Sequence, residues 1–181
     1  GLLADVTHRP ERLMNVHFLN HPWQRPAVEL MTSGHTDDEL LRQVEAFLTD
    51  CGLYPVVVKG ESTGFLFNRI WRAIKKESLK VVAGGHGTPE DIDRFWCMST
   101  GLQMGLFALM DRVGLDVVLD IERHYAWESE DPNDEPPEFL ADMVRAGKLG
   151  VKCGEGFYRY PNPPFEHPDW PYDKGRTAAN D

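Results

Sequence analysis

His17 and Glu29 are the residues of this sequence best suited to do chemistry. Each interrupts an apolar run: His17 lies in Leu13-Met14-Asn15-Val16-His17-Phe18-Leu19, and Glu29 in Ala27-Val28-Glu29-Leu30-Met31. Burying a polar group without a partner is costly, and burying an unpaired charge costs far more. On neighbouring strands the two residues can solve each other's problem. A carboxylate that accepts from one imidazole nitrogen fixes the tautomer and leaves the other nitrogen free as a base near neutral pH. The same pattern also describes a satisfied core histidine and an edge-strand glutamate, because structural pairs perturb titration too. Spacing alone leaves both readings open. His17 and His21 are four apart, but that spacing points to a metal only on a helix with a third ligand. The context is a strand, so no metal site is assigned.

The pair must be carried by secondary structure. Residues 13–19 and 27–32 are short apolar runs bounded by Asn, His, Pro and Gly, as expected of strands buried on both faces. Thr36-Asp37-Asp38-Glu39 has the form of a capping box, with Thr36 as the cap. The helix it opens carries Leu40, Leu41, Val44, Phe47 and Leu48 on one face and closes at Cys51-Gly52. Tyr54-Pro55-Val56-Val57-Val58 follows as a strand, giving β-β-α-β. From about Ser62 the pattern turns helical: Gly64 to Val82, a Thr88-Pro89-Glu90-Asp91 start, Leu106–Val113, Asp116–Trp127 and Pro137–Ala146. Residues 131–137 read as a solvated acidic loop, and 161–181 as an extended or disordered tail. Trp71, Trp96 and Trp127 read as core or subunit interface.

Composition narrows the function classes. The 181 residues are 41% hydrophobic and 27% charged, as in globular proteins. A formal net charge of −10 argues against sequence-independent nucleic-acid binding, which needs a basic footprint. No apolar stretch approaches the roughly 20 residues of a membrane span, so no membrane partner is expected. Three widely spaced cysteines, Cys51, Cys97 and Cys153, favour reduced thiols and a cytoplasmic location. No G-x-G-x-x-G follows a strand. Gly84-Gly85-His86-Gly87 comes nearest, but it sits between helical patterns and reads as a connector. The chain begins at Gly1, which suits a piece of a longer polypeptide.

Five motifs, in order, resemble the 3-hydroxyacyl-CoA dehydrogenase family: Asn15-Val16-His17-Phe18-Leu19-Asn20; Val28-Glu29; Glu61-Ser62-Thr63-Gly64-Phe65-Leu66-Phe67-Asn68-Arg69; Thr88-Pro89-Glu90-Asp91-Ile92-Asp93; and Lys148 through Tyr158. The resemblance spans about Arg9 to Tyr160. It implies the α/β tail of a Rossmann-like NAD-binding domain over 1–60, then a mostly α-helical domain like the C-terminal domain of 6-phosphogluconate dehydrogenase over 61–160. It implies NAD-dependent oxidation of a 3-hydroxyacyl-CoA to the 3-ketoacyl-CoA, with a homodimer formed through the helical domain. By the same resemblance His17 is the catalytic base, Glu29 its acidic partner, Asn68 a catalytic and substrate-binding residue, and Asn20 and Lys152 cofactor contacts. Without the family, Asn68 reads more simply as satisfying a helix-end backbone group, and Lys152 as a solvated turn residue. The family's substrate-contacting serine would fall upstream of Gly1, and the dinucleotide site is expected to be largely absent, leaving this piece inactive by itself. His21 and Thr63 stand where prolines are usual, and residues 104–111 lack the usual proline and glutamate. These departures leave room for a free hydroxy acid such as carnitine or a sugar acid, or for a non-catalytic dimerisation module.

Overall fold

The computed structural model describes residues 3–60 and 62–173. The chain divides into two compact units, Gly1–Trp71 and Arg72–Asp181. In the first, strands β1 (Met14–Phe18), β2 (Ala27–Thr32) and β3 (Tyr54–Val58) form one sheet in the order β1-β2-β3. β1 runs antiparallel to β2, and β3 runs parallel to it. Helix α1 (Asp38–Asp50) makes the crossover that a parallel pair requires.

Strand periodicity sorts the side chains. Val28 and Leu30 of β2 are fully buried and pack with Met14 and Val16 of β1, and with Leu41, Val44 and Leu48 of α1. Glu29 and His17, one residue out of step, point to the opposite face. β1 is not buried on both faces as expected: Asn15 and Phe18 are exposed, because β1 is an outer strand while β2 has neighbours on both sides. The α1 cap also differs by one residue. Asp37 accepts the Glu39 N–H at 2.8 Å, while the Thr36 hydroxyl donates to the Leu13 carbonyl and ties the helix start to the strand. Phe47 is exposed, off the apolar face predicted for it.

Helix α2 (Phe67–Ala83) begins in the first unit. The second unit continues with α3 (Pro89–Thr100), α4 (Leu106–Val113), α5 (Leu115–Ser129) and α6 (Glu138–Arg145). The Thr88 cap and the proline at the start of α3 form as the sequence predicts, and Asp91 completes a capping box. Phe107, Met110, Leu115, Val118 and Leu140 are its best-buried side chains. Carboxylates fasten its loops. Asp93 of α3 accepts from the Phe107 and Ala108 N–H groups at the start of α4, at 2.8 and 3.0 Å, and from the Tyr158 hydroxyl at 2.9 Å. Asp111 accepts from the Phe157 and Tyr158 N–H groups, both at 2.9 Å. A Cβ added at Gly156 would lie 2.1 Å from an Asp111 oxygen, so this close approach requires glycine.

Two expected loops are structured. The 131–137 loop is not simply solvated: Asp134 is buried and accepts from Arg72 at 2.8 Å and Lys76 at 2.5 Å. Over 161–173 the tail is folded rather than extended or disordered. Trp170 is buried, meets Phe165 edge-on and carries the Arg94 guanidinium over its ring. The last eight residues, 174–181, lie outside the described residues. Trp127 is 75% exposed, so it belongs to no core. No helix among the described residues is long and apolar enough to cross a membrane.

Candidate active site

β1 and β2 pair in a register that sets His17 directly opposite Glu29. Directly opposed side chains lie within contact reach on one face of a sheet. The His17 Nδ1 and a Glu29 carboxylate oxygen are 2.7 Å apart. The imidazole keeps 28% of its side-chain surface exposed, whereas the carboxylate keeps 7%. The other Glu29 oxygen accepts the Leu66 N–H at 2.7 Å and the Phe67 N–H at 2.9 Å. Burial pushes the Glu29 carboxyl up, but the Phe67 N–H, the His17 ring and the Leu66 N–H together hold it below the ordinary glutamate value. The carboxylate is therefore ionised at neutral pH and can only accept. Nδ1 must carry the proton, and among the described residues nothing bonds Nε2.

This arrangement explains how α2 starts. Leu66, just before the helix, has no side-chain acceptor, and the first N–H groups of any helix lack partners within it. Glu29 supplies the missing acceptor from 37 residues away. The sequence predicts this helix from Gly64, behind Ser62 and Thr63, whereas it begins at Phe67, and the remote acceptor that the later start needs was missed. Missed as well was Phe65, whose ring stacks on His17 at 4.8 Å between centroids and 10° between planes.

The remaining predicted residues are scattered by comparison. Asn68 is the second residue of α2 and half-buried. It does not satisfy the helix-end backbone, since Glu29 does that, and its amide bonds none of the described residues. Asn20 is exposed in the loop after β1. Lys152, in the second unit, is 2.5 Å from both carboxylate oxygens of Asp116. Its bond to Asp116 lowers that carboxyl's pKa, though both groups are solvated. His21 takes a left-handed φ of 60° and meets Trp23 edge-on. Among the described residues no cluster of His, Cys, Asp or Glu could hold a metal ion.

Residues 2–62 match the 3-hydroxyacyl-CoA dehydrogenase NAD binding domain, and residues 64–160 match the 3-hydroxyacyl-CoA dehydrogenase C-terminal domain. The chain belongs to the 3-hydroxyacyl-CoA dehydrogenase family. The 3-hydroxyacyl-CoA dehydrogenase-like protein LAM1 of Cochliobolus heterostrophus is 40% identical over 154 residues, 83% of this chain and 32% of that protein. The 3-hydroxybutyryl-CoA dehydrogenase of Mycobacterium tuberculosis is 33% identical over 158 residues, 87% of this chain and 55% of the relative. Among solved structures, (S)-3-hydroxybutyryl-CoA dehydrogenase from Ralstonia eutropha superposes with a TM-score of 0.80 at 36% identity. That alignment covers 88% of this chain and 56% of the other. The chain thus spans between a third and somewhat over half the length of these relatives. The family match confirms the expected architecture, the end of an NAD-binding domain followed by the helical C-terminal domain.

Proposed function

We propose that this chain carries the proton-accepting and substrate side of an NAD-dependent 3-hydroxyacyl-CoA dehydrogenase. The observation that carries the reading is the 2.7 Å contact between His17 and a carboxylate that two backbone N–H groups keep ionised. NAD, when bound, would supply the acceptor for the hydride leaving the hydroxyl-bearing carbon. As that C–H bond breaks, His17 Nε2 takes the hydroxyl proton and the C–O bond becomes a ketone. Glu29 holds Nδ1 protonated, keeps the ring in one orientation, and faces the positive charge that develops on it. Asn68, with an amide that bonds none of the described residues, would hydrogen-bond the substrate oxygen.

The residues present fit the reacting end of NAD better than its phosphates. α1 is the helix reached from a strand, and its first turn bears Asp38 and Glu39 behind an Asp37 cap. Those charges oppose the positive end of the helix that a pyrophosphate would otherwise seek. Asn20 is the first-unit candidate for the cofactor. Lys152 is bonded to Asp116, so any cofactor contact would compete with that pair.

The direct test is NAD reduction by the full-length gene product with 3-hydroxybutyryl-CoA, compared with His17→Gln. A fall of about 10²–10⁴-fold is expected from losing a general base. Near-equal rates would remove His17 from the mechanism. One relative, the 5-formyl-3-hydroxy-2-methylpyridine 4-carboxylate 5-dehydrogenase of Mesorhizobium japonicum, 31% identical over 88% of this chain, is named for a carboxylate-bearing aldehyde rather than a thioester, which supports a second reading only as far as a free-acid substrate. Turnover of a free hydroxy acid with none of the thioester would select it. The cysteines of the described chain are all unpaired, with Cys97 buried, which supports a reducing compartment such as the cytoplasm. The apolar side chains exposed on the helical unit support a homodimer.

A further inference from the structure

His17 is held at more than its Glu29 edge. Phe65 covers one ring face, nearly parallel at 10°. An imidazole fixed at Nδ1 alone could still swing about that single hydrogen bond. A flat ring against its face removes that freedom, while Nε2 bonds none of the described residues.

The backbone beneath Phe65 shows how the ring is delivered. Phe65 has a φ of 57°, directly after Gly64 at 79°. A bulky residue in the left-handed region is uncommon and strained. Surrounding contacts must hold it there. The Phe65 N–H donates to the Ser62 carbonyl at 3.0 Å, and the Ser62 hydroxyl donates back to the Phe65 carbonyl at 3.2 Å. The next two N–H groups, of Leu66 and Phe67, are those that anchor Glu29. One turn therefore grips both members of the pair, the glutamate through its backbone and the histidine through an aromatic face.

We propose that Phe65 is a positioning residue for the His17 base, its ring fixing the imidazole plane and lying against the imidazolium formed in each turnover. This rests on the reading of His17 as the base. An aromatic face also attracts a cation, which an aliphatic side chain of similar bulk cannot do. Leucine is therefore the informative replacement and tyrosine the conservative one.

The experiment is a double-mutant cycle in the full-length gene product, with Phe65→Leu, Phe65→Tyr, His17→Gln, and Phe65→Leu combined with His17→Gln. Phe65→Leu should lower kcat about tenfold with KM little changed, and Phe65→Tyr should restore it. On the His17→Gln background Phe65→Leu should cost nothing further. Proton NMR gives a readout apart from turnover: the His17 ring protons should lose an upfield ring-current shift in Phe65→Leu and keep it in Phe65→Tyr. An equal loss from Phe65→Leu on both backgrounds would overturn the proposal and leave Phe65 a purely structural residue. So would an unchanged ring-current shift, which remains measurable even if turnover collapses. If His17→Gln itself turns over like the parent, the base reading fails instead.

Discussion

At the scale of single residues, Glu29 does two jobs with its two oxygens. One orients His17, and the other completes the first turn of α2. Glu29→Gln separates them. An amide oxygen can still accept from Leu66 and Phe67, but the amide nitrogen turned toward His17 is a donor, which favours the wrong tautomer. Turnover should fall by about 10²–10⁴-fold, while the unfolding free energy from chemical denaturation falls by only about 1–2 kcal/mol. The pH dependence has a definite sign. Glu29 titrates below its ordinary value when folded, so its contribution is present above the unfolded value, roughly pH 4.3, and is lost as pH falls through the folded one. Glu29→Gln should therefore flatten the acid limb of the stability curve below about pH 4. An unaltered limb would mean that the carboxylate is not held in its charged form. His17 and Glu29 were legible in the sequence because each breaks an apolar run. Phe65 was not, since a phenylalanine beside a glycine looks the same whether it fills a core or covers a histidine.

Among the elements, helix boundaries in the second unit were the easiest to read. α4 spans the predicted Leu106–Val113, and the Thr88 box opens α3. Local chemistry sets those ends. What eluded the sequence was long-range polar pairing. Lys75 of α2 and Glu122 of α5 are almost fully buried, 2.8 Å apart. Nothing nearby in sequence separates them from the solvated charges of an amphipathic helix. A buried pair is weak evidence for stability, but breaking it strands the survivor. Lys75→Met alone or Glu122→Leu alone should cost about 3–5 kcal/mol. The double replacement should recover most of that in urea titrations. Additive losses would show that the two charges do not depend on each other. Asp93 gives a second check on this unit. Burial pushes its carboxyl up to about 6, against the opposing pull of the Phe107, Ala108 and Leu106 N–H groups and the Tyr158 hydroxyl. A raised folded value favours the protonated form. Its contribution is thus present in full below the unfolded value, near pH 4, and lost as pH rises through about 6. Urea midpoints should fall between pH 4 and pH 7 in the parent and stay flatter in Asp93→Asn.

For the molecule as a whole, the family was legible because five short motifs keep their order across most of the chain. The proposed dimer would bury part of the helical unit's surface. Phe95, Met98 and Leu102 are exposed at helical spacing along and just beyond α3, and Val117 and Ile121 are exposed one turn apart on α5. Monomers rarely expose contiguous apolar patches beyond a few hundred Å². A net charge of −10 opposes self-association, so apolar contact must outweigh it, and raised salt should favour the dimer. Paired Phe95→Glu and Ile121→Glu substitutions would place like charges in a desolvated contact. The parent should sediment as a dimer and the variant as a monomer, with the thermal midpoint lower and dependent on protein concentration only in the parent. His17 and Glu29 both lie in the first unit, so a folded variant monomer should keep the ring-current signature of His17 even if its turnover drops. A parent that sediments as a monomer across micromolar concentrations would end the dimer proposal and leave these side chains to another partner.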